Sequence, residues 1–468
     1  MLTRRRFCSW LAQAARPDPR PNLLLCIADD WAFGHAGIYG DPVVRTPVFD
    51  GVARQGVLFS HAFSCAPSCT PSRAGILTGQ APHRLEEGGN LHGFLPQKFP
   101  VYPDLLEQAG YFVGYTRKGW GPGNFQAGGR TRNPAGPQFA DFAEFLKAAP
   151  VGRPFCFWFG SQDPHRAYER DSGLRSGMDP AKVVVPPFWP DTPEVRRDIL
   201  DYYFEVQRFD REVGGLLEQV DARGAAGNTL VVITADNGWP FPRAKANLYD
   251  AGTRQALALR WPARFGGGRT IDDFVTLADL APTFLEAAGL KPPPEMTGRS
   301  ILGLAAGTEK PGARDRVFVE RERHANVRRG DLSYPARAVR TRDFLYLRNF
   351  RPDRWPAGDP EPYFAVGPYG DCDDGPTKQY ILARRDQKHF PLCFDKRPAE
   401  ELYDLKKDPH QLVNVAQQAS YAPARSRMRD WLEQWMRQTA DPRASSDDDR
   451  WDRYPYFGQP APGLRRDR

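Results

Sequence analysis

Asn22-Leu23-Leu24-Leu25-Cys26-Ile27-Ala28 runs without a break into Asp29-Asp30. An apolar run with no alternating polar partner reads as a strand buried on both faces, as in a parallel sheet covered by helices on each side. Phe155-Cys156-Phe157-Trp158-Phe159 and Thr229-Leu230-Val231-Val232-Ile233-Thr234 repeat the pattern. Between the runs, Tyr102 to Ala109 and Phe204 to Val220 carry apolar residues at helical spacing. Strands alternating with helices predict an α/β fold whose large sheet, mainly parallel or mixed, lies between helical layers.

Beyond about residue 310 the texture changes. Val317-Phe318-Val319, Ala338-Val339-Arg340 and Phe344-Leu345-Tyr346-Leu347 are short strand-like pieces joined by turns, which predicts a smaller antiparallel sheet. Tyr421 to Met436 reads as a closing amphipathic helix. The expected layout is a leader over 1–20, the main α/β domain over 21–310, a C-terminal antiparallel-sheet subdomain over 311–443 and a loose polar tail over 444–468.

Composition narrows the function classes. A chain of 468 residues can house a large enzyme core, and 41% apolar with 26% charged residues excludes a disordered or fibrous protein. No run approaches the roughly 18 apolar residues of a membrane-spanning helix. The 43 Gly and 45 Pro, with no repeat period, imply long ordered loops. Sixty-four basic against 57 acidic residues leave +7, which fits either a mildly basic surface or an anionic substrate. No nucleic-acid partner is expected. Seven Cys without a CxxC pair signal neither a zinc site nor a disulfide scaffold, although Cys372 and Cys393 could pair in an oxidising compartment. Thr3-Arg4-Arg5-Arg6-Phe7 resembles a twin-arginine export signal, with Ala12-Gln13-Ala14 as its cleavage site. That predicts a periplasmic or secreted protein; a plain basic leader would leave it cytoplasmic.

Two buried runs end in oxygen ligands, Asp29-Asp30 and Asp236-Asn237. Ligands of open α/β sheets bind beyond the carboxyl ends of the strands, so these side chains are expected to converge. Clustered carboxylates repel unless a cation sits among them. An all-oxygen set favours Ca²⁺, with Mg²⁺ second, over zinc. Taken singly, each Asp could equally cap a turn.

Cys69-Thr70-Pro71-Ser72-Arg73-Ala74-Gly75-Ile76-Leu77-Thr78-Gly79 is the most informative segment. Pro71 suits a helix's first turn, which places Cys69 at a helix N-terminus that favours an anion. Arg73 would project from that turn. The segment resembles the CxPSR…TG signature of the sulfatase family, in which the cysteine is oxidised to formylglycine. Pro21 to Asp30, Thr46-Pro47-Val48-Phe49-Asp50, Thr234-Ala235-Asp236-Asn237-Gly238, Asp279-Leu280-Ala281-Pro282-Thr283 and Thr297-Gly298-Arg299-Ser300 resemble further family motifs. The resemblance spans roughly residues 21–440 and implies an alkaline-phosphatase-like fold with bound Ca²⁺. It also implies dependence on a formylglycine-generating maturation enzyme.

Carried over by position, the resemblance implies calcium ligands Asp29, Asp30, Asp236, Asn237 and the modified Cys69, which is also the nucleophile. Arg73, Lys118 and Lys245 would neutralise sulfate oxygens, and His165 in Gln162-Asp163-Pro164-His165-Arg166 would protonate the leaving group. One position departs: Trp120 stands where the family's second histidine is expected. Pro240-Phe241-Pro242, Tyr334-Pro335-Ala336-Arg337 and Leu402-Tyr403-Asp404 resemble the heparan N-sulfatase branch. That implies an anionic sulfated saccharide as substrate, with His324 and Arg337 near the sugar, or else paired as surface charges with Asp331 or Glu322. The alternatives are an O-sulfatase on another sulfated carbohydrate, a phosphoester or phosphonate hydrolase of the same superfamily, and a glycan binder without turnover.

Overall fold

The computed structural model describes residues 18–365 and 367–460, so the leader lies almost wholly outside the described residues. The large sheet has eight strands: β1 (Asn22–Ala28), β2 (Val57–Phe63), β3 (Phe112–Arg117), β4 (Phe155–Gly160), β5 (Thr229–Ala235), β6 (Arg254–Arg260), β7 (Arg269–Ile271) and β8 (Val275–Thr276). Their order is β3-β4-β1-β5-β6-β2-β7, with β8 also paired to β2. β3, β4, β1 and β5 run parallel, while β6 is antiparallel to both β5 and β2. The sheet is therefore mixed, and β2 runs in the same direction as β1.

Helices cover both faces, as the unbroken apolar runs require. Pro47–Gln55 (α1) and the long Pro193–Ala222 (α2) pack on one core layer with Leu24, Cys26, Phe157 and Val231. Cys69–Thr78 (α3) and Leu280–Ala287 (α4) pack on the other with Leu23, Leu25, Trp158 and Val232. Alternate residues of one strand thus feed two separate cores.

The second sheet contains β9 (Arg316–Arg321), β10 (Ala336–Thr341), β11 (Phe344–Asn349) and β12 (Glu400–Asp404), all antiparallel in the order β12-β11-β10-β9. Period-two alternation splits its side chains between two clusters. Ala336, Ala338 and Leu347 face Phe63, Leu248 and Phe274 of the main domain, whereas Val339, Tyr346 and Leu402 face Met428, Leu432 and Met436 of the closing helix Ala422–Gln438 (α5). Residues 444–460, expected as a loose tail, instead pack: Trp451 is fully buried and its carbonyl accepts from Asn90 Nδ2 at 3.0 Å. The burial of that large aromatic ring is joined by ion pairs from Asp449 to Arg351 at 2.7 Å and from Asp452 to Arg354 at 3.0 Å. No helix among the described residues is long and apolar enough to cross a membrane. Cys372 and Cys393 are both free and buried.

Candidate active site

Register assembles the site. Ala28 pairs with Ala235, so Asp29-Asp30 and Asp236-Asn237 leave the sheet side by side. Gly160 pairs with both Ile27 and Arg117, which brings Lys118 and the Ser161–Arg166 loop to the same edge. Gly160 is required there: an added Cβ would lie 1.7 Å from the Lys118 carbonyl oxygen. The parallel direction of β2 delivers α3 to that edge as well, with Cys69 as its first residue and Pro71 in its first turn.

The carboxylates Asp29, Asp30 and Asp236 are buried, and ligand atoms from these three and Cys69 all lie within 4.8 Å of one another. Asp30 N–H donates to Asp236 Oδ1 at 3.1 Å, and Cys69 Sγ lies 3.5 Å from Asp29 Oδ1. Asp30 Oδ2 and Asn237 Oδ1 are buried without any hydrogen-bond partner. The Asn237 amide nitrogen is occupied by Asp30 Oδ1 and the Gly238 carbonyl, which leaves its oxygen free. Orphaned oxygens on Asp30 and Asn237 within a cluster of three buried carboxylates are costly unless a cation is present, so the donor set fits a hard divalent ion such as calcium.

Three cations surround this cluster. Arg73 is fully buried; Nε donates to Asp236 Oδ2 at 2.7 Å and Nη1 to the carbonyls of Lys118 and Gly119 at 2.9 and 3.0 Å. Lys118 Nζ donates to Asp29 Oδ2 at 2.5 Å. Lys245 Nζ bonds Asp30 Oδ1 and lies 3.7 Å from Cys69 Sγ. Burial alone would push the Asp29 carboxyl up, but Lys118 and His165 outweigh it and hold it below its usual range. Burial likewise opposes both lysine charges, and the facing carboxylates overcome it, so Lys118 and Lys245 stay above the ordinary lysine value. Burial pushes the Cys69 thiol well up, so the unmodified side chain is a weak nucleophile.

His165 Nδ1 lies 2.6 Å from the Arg166 carbonyl. A carbonyl only accepts, so Nδ1 carries the hydrogen and Nε2 faces inward, 3.8 Å from Asp30 Oδ2. Trp120 is buried, with its backbone N–H and carbonyl both held by the Asn133 side chain. An open cavity of about 650 Å³ leads to the cluster, lined by Asp29, Lys118, Trp120, His165 and Arg208 among others.

The two residues expected near a sugar part company: His324 lies beside the site, close enough to Lys245 and Asp373 to feel both charges, whereas Arg337 lies away from it. His324 is buried and its Nδ1 sits 2.8 Å from Ser68 Oγ, bracing the residue ahead of α3; burial takes its pKa down to about 3. Arg337 is fully buried, bonding Asp441 and Glu322 at 2.7 Å each, so its guanidinium cannot reach a ligand. It belongs to an ion cluster because register sets it opposite Glu320 on β9. Two residues escaped the sequence reading. Asp373 places a carboxylate within 4.8 Å of His165 and Asp30. His92 donates its backbone N–H to the Pro122 carbonyl and lies close enough to Lys118 to be depressed by it, after burial, to about 4. Both sit in irregular loops, where the only signal was an acidic run at Asp371-Cys372-Asp373-Asp374 and an isolated His.

Comparison with known proteins gives the family. A family model described as Sulfatase matches residues 21–130 and 137–290, and one described as N-sulphoglucosamine sulphohydrolase, C-terminal, matches 238–357. The N-sulphoglucosamine sulphohydrolase of Homo sapiens is 31% identical, covering 91% of this chain and 92% of its own. An ulvan-active sulfatase of Formosa agariphila is 27% identical, covering 90% and 76%. A solved structure described as in complex with its substrate D-glucosamine-2-N,6-O-disulfate superposes with a TM-score of 0.65 at 19% identity, over 92% of this chain and 99% of that one. The shared fold is the alkaline-phosphatase-like architecture, a large mixed sheet with a separate antiparallel one.

Proposed function

The chain belongs to the sulfatase family, and from that membership we propose that it removes the N-sulfate of glucosamine from heparin- or heparan-type saccharides. The convergence of Arg73, Lys118 and Lys245 on the carboxylate cluster around Cys69 carries the hydrolytic part of this reading. The match of residues 238–357 to the N-sulphoglucosamine sulphohydrolase model supports the substrate.

Calcium held by Asp29, Asp30, Asp236, Asn237 and the matured Cys69 would supply positive charge against the sulfate oxygens. Lys118 and Lys245 add two ammonium groups on the same side and bind the sulfonate. Arg73, fully buried, acts through its neighbours: it fixes Asp236 and the Lys118-Gly119 turn from below. Cys69, converted to formylglycine by a maturation enzyme, provides the attacking hydroxyl of its hydrated aldehyde. As the imidazolium, with Nδ1–H oriented by the Arg166 carbonyl, His165 offers Nε2–H to the departing nitrogen. The arginine-rich leader fits export to the periplasm or beyond.

The test is sulfate release by the matured enzyme from glucosamine sulfated at N, at O3 or at O6, alongside matched aryl sulfate, phosphate and phosphonate esters. The N-sulfate should be the preferred sugar substrate. Release only from O-sulfated sugars would reassign the protein as an O-sulfatase, and preference for the phosphorus esters would move it to the other hydrolase class.

A further inference from the structure

The cavity, the cation cluster and the metal-ligand set are absorbed by the proposed reaction, but one charged group at the site is not. Asp373 lies beyond β11, in the loop before Pro376–Arg384, far in sequence from every motif of the main domain. Its carboxylate is about a quarter exposed, and Oδ2 has no hydrogen-bond partner. The nearest cation, Lys245 Nζ, is 3.9 Å away and is bonded to Asp30 instead. One Asp373 oxygen, one Asp30 oxygen and a His165 ring nitrogen lie mutually within 4.8 Å.

The loop is held rigidly from both lobes. Asp371 bonds Arg321 and Arg328 and accepts from Ala325 N–H at 3.0 Å. Thr377 Oγ1 donates to Asp198 Oδ2 at 2.6 Å, and Arg166 pairs with both oxygens of Asp198 at 2.8 Å. Lys378 Nζ donates to the Cys372 carbonyl at 2.8 Å. Gly375 allows the close approach, since a Cβ there would lie 2.4 Å from Arg166 Nη1. These contacts fix the position of a carboxylate whose Oδ2, among the described residues, accepts no hydrogen bond and has Lys245 Nζ at 3.9 Å as its ion-pair neighbour.

An ionised carboxylate only accepts hydrogen bonds and repels the sulfonate end of a substrate. Its partner must therefore be a donor on the leaving-group side, where His165 also points. A partly buried anion whose one ion-pair neighbour is engaged by another carboxylate is best matched by a further cation. We propose that Asp373 recognises the amino group of the leaving sugar and holds the ammonium form of the product. The proposal rests on the sulfamate reading for its catalytic meaning. When the S–N bond breaks, its electron pair stays on nitrogen, which takes a proton from His165 to become an amine. A second proton from water makes the ammonium that Asp373 faces. An oxygen leaving group would gain no such charge, so Asp373 would favour N- over O-desulfation.

Calorimetric binding of glucosamine, glucose and N-acetylglucosamine to the matured enzyme tests this without requiring sulfamate turnover. Wild type should bind glucosamine more tightly than the two neutral sugars. Asp373→Asn, nearly isosteric, should weaken glucosamine about tenfold, the value of one charge-assisted hydrogen bond, and move the neutral sugars far less. Asp373→Glu, which keeps the charge but displaces it, should fall between. Equal weakening of all three sugars, no change in any, or no preference for the amine in wild type would each overturn the proposal. If the amine preference depends on Asp373 while glucosamine N-sulfate is not cleaved, the sulfamate reading fails and the amine site stands.

Discussion

Arg73→Ala tests the assembly of the site through its stability. The guanidinium is fully buried, with one short bond to Asp236 and two to the carbonyls of Lys118 and Gly119. Its second terminal nitrogen also lies 3.7 Å from Asp29 Oδ1. Removing one partner of a buried ion pair costs roughly 3–5 kcal/mol, because the other charge is stranded. The two carbonyls add at most about 1 kcal/mol each, and water entering the vacated space recovers part of that. A loss of about 4 kcal/mol is expected, a large share of the roughly 5–15 kcal/mol that holds a folded protein together. In urea, followed by tryptophan fluorescence on calcium-free protein, the midpoint should fall by about 1 M. Chelation comes first because bound calcium would itself compensate the stranded carboxylates. Arg73→Lys should recover under half of the loss, since one ammonium cannot span three acceptors. Lys98→Ala, which breaks an exposed pair with Glu86, should leave the midpoint in place. A midpoint for Arg73→Ala as unmoved as that of Lys98→Ala would refute the reasoning.

Three further outcomes are expected. His165→Ala should slow sulfamate cleavage by about 10²–10⁴, as for a lost general acid, and an activated aryl sulfate much less; equal losses would remove His165 from that role. Adding calcium to chelated enzyme at about 100 times its Kd should stabilise it by roughly 2.7 kcal/mol, an effect that Asp236→Ala should abolish in a thermal melt. His83 faces acceptors at both nitrogens, Glu320 at 2.8 Å and the Thr439 carbonyl at 3.2 Å, with Asp441 at 3.9 Å and the opposing charge of Arg337 nearby. Burial opposes its charge, Glu320 and Asp441 outweigh that, and the folded pKa is raised. Its stabilisation is then complete below the unfolded value near 6.5 and is lost as pH rises through the folded one. The stability gap between wild type and His83→Gln should shrink as pH rises above the unfolded value near 6.5 and through the raised folded one, and a gap that widens would contradict the ion cluster.

Much of the fold was legible because β1, β4 and β5 are buried on both faces and contain almost no polar interruption. β6 was not, because its Arg ends and the buried Gln255 break the apolar pattern. The site residues with motif support were legible for a related reason: strand-end acids and a helix-start Cys-x-Pro-Ser-Arg have fixed places in the topology. Arg337 does pair with Glu322, but an arginine alternating with apolar residues looks exposed, whereas Glu320 and Glu322 from the β9 segment and Asp441 from beyond α5 bury it. Asp373 was invisible because its position depends on Asp198, Arg166 and Asp371, contacts that join both lobes. The packed 444–460 segment depends in the same way on distant partners, the pocket that buries Trp451 and the side chains of Arg351 and Arg354 that pair with Asp449.

The most direct test of the central claim is the mass of the peptide containing Cys69, taken from enzyme that is turning over. Conversion of the thiol to formylglycine should make that peptide about 18 Da lighter than its sequence mass, with activity in proportion to the converted fraction across preparations. Full sulfate release by protein whose Cys69 retains the unmodified thiol mass would contradict the account.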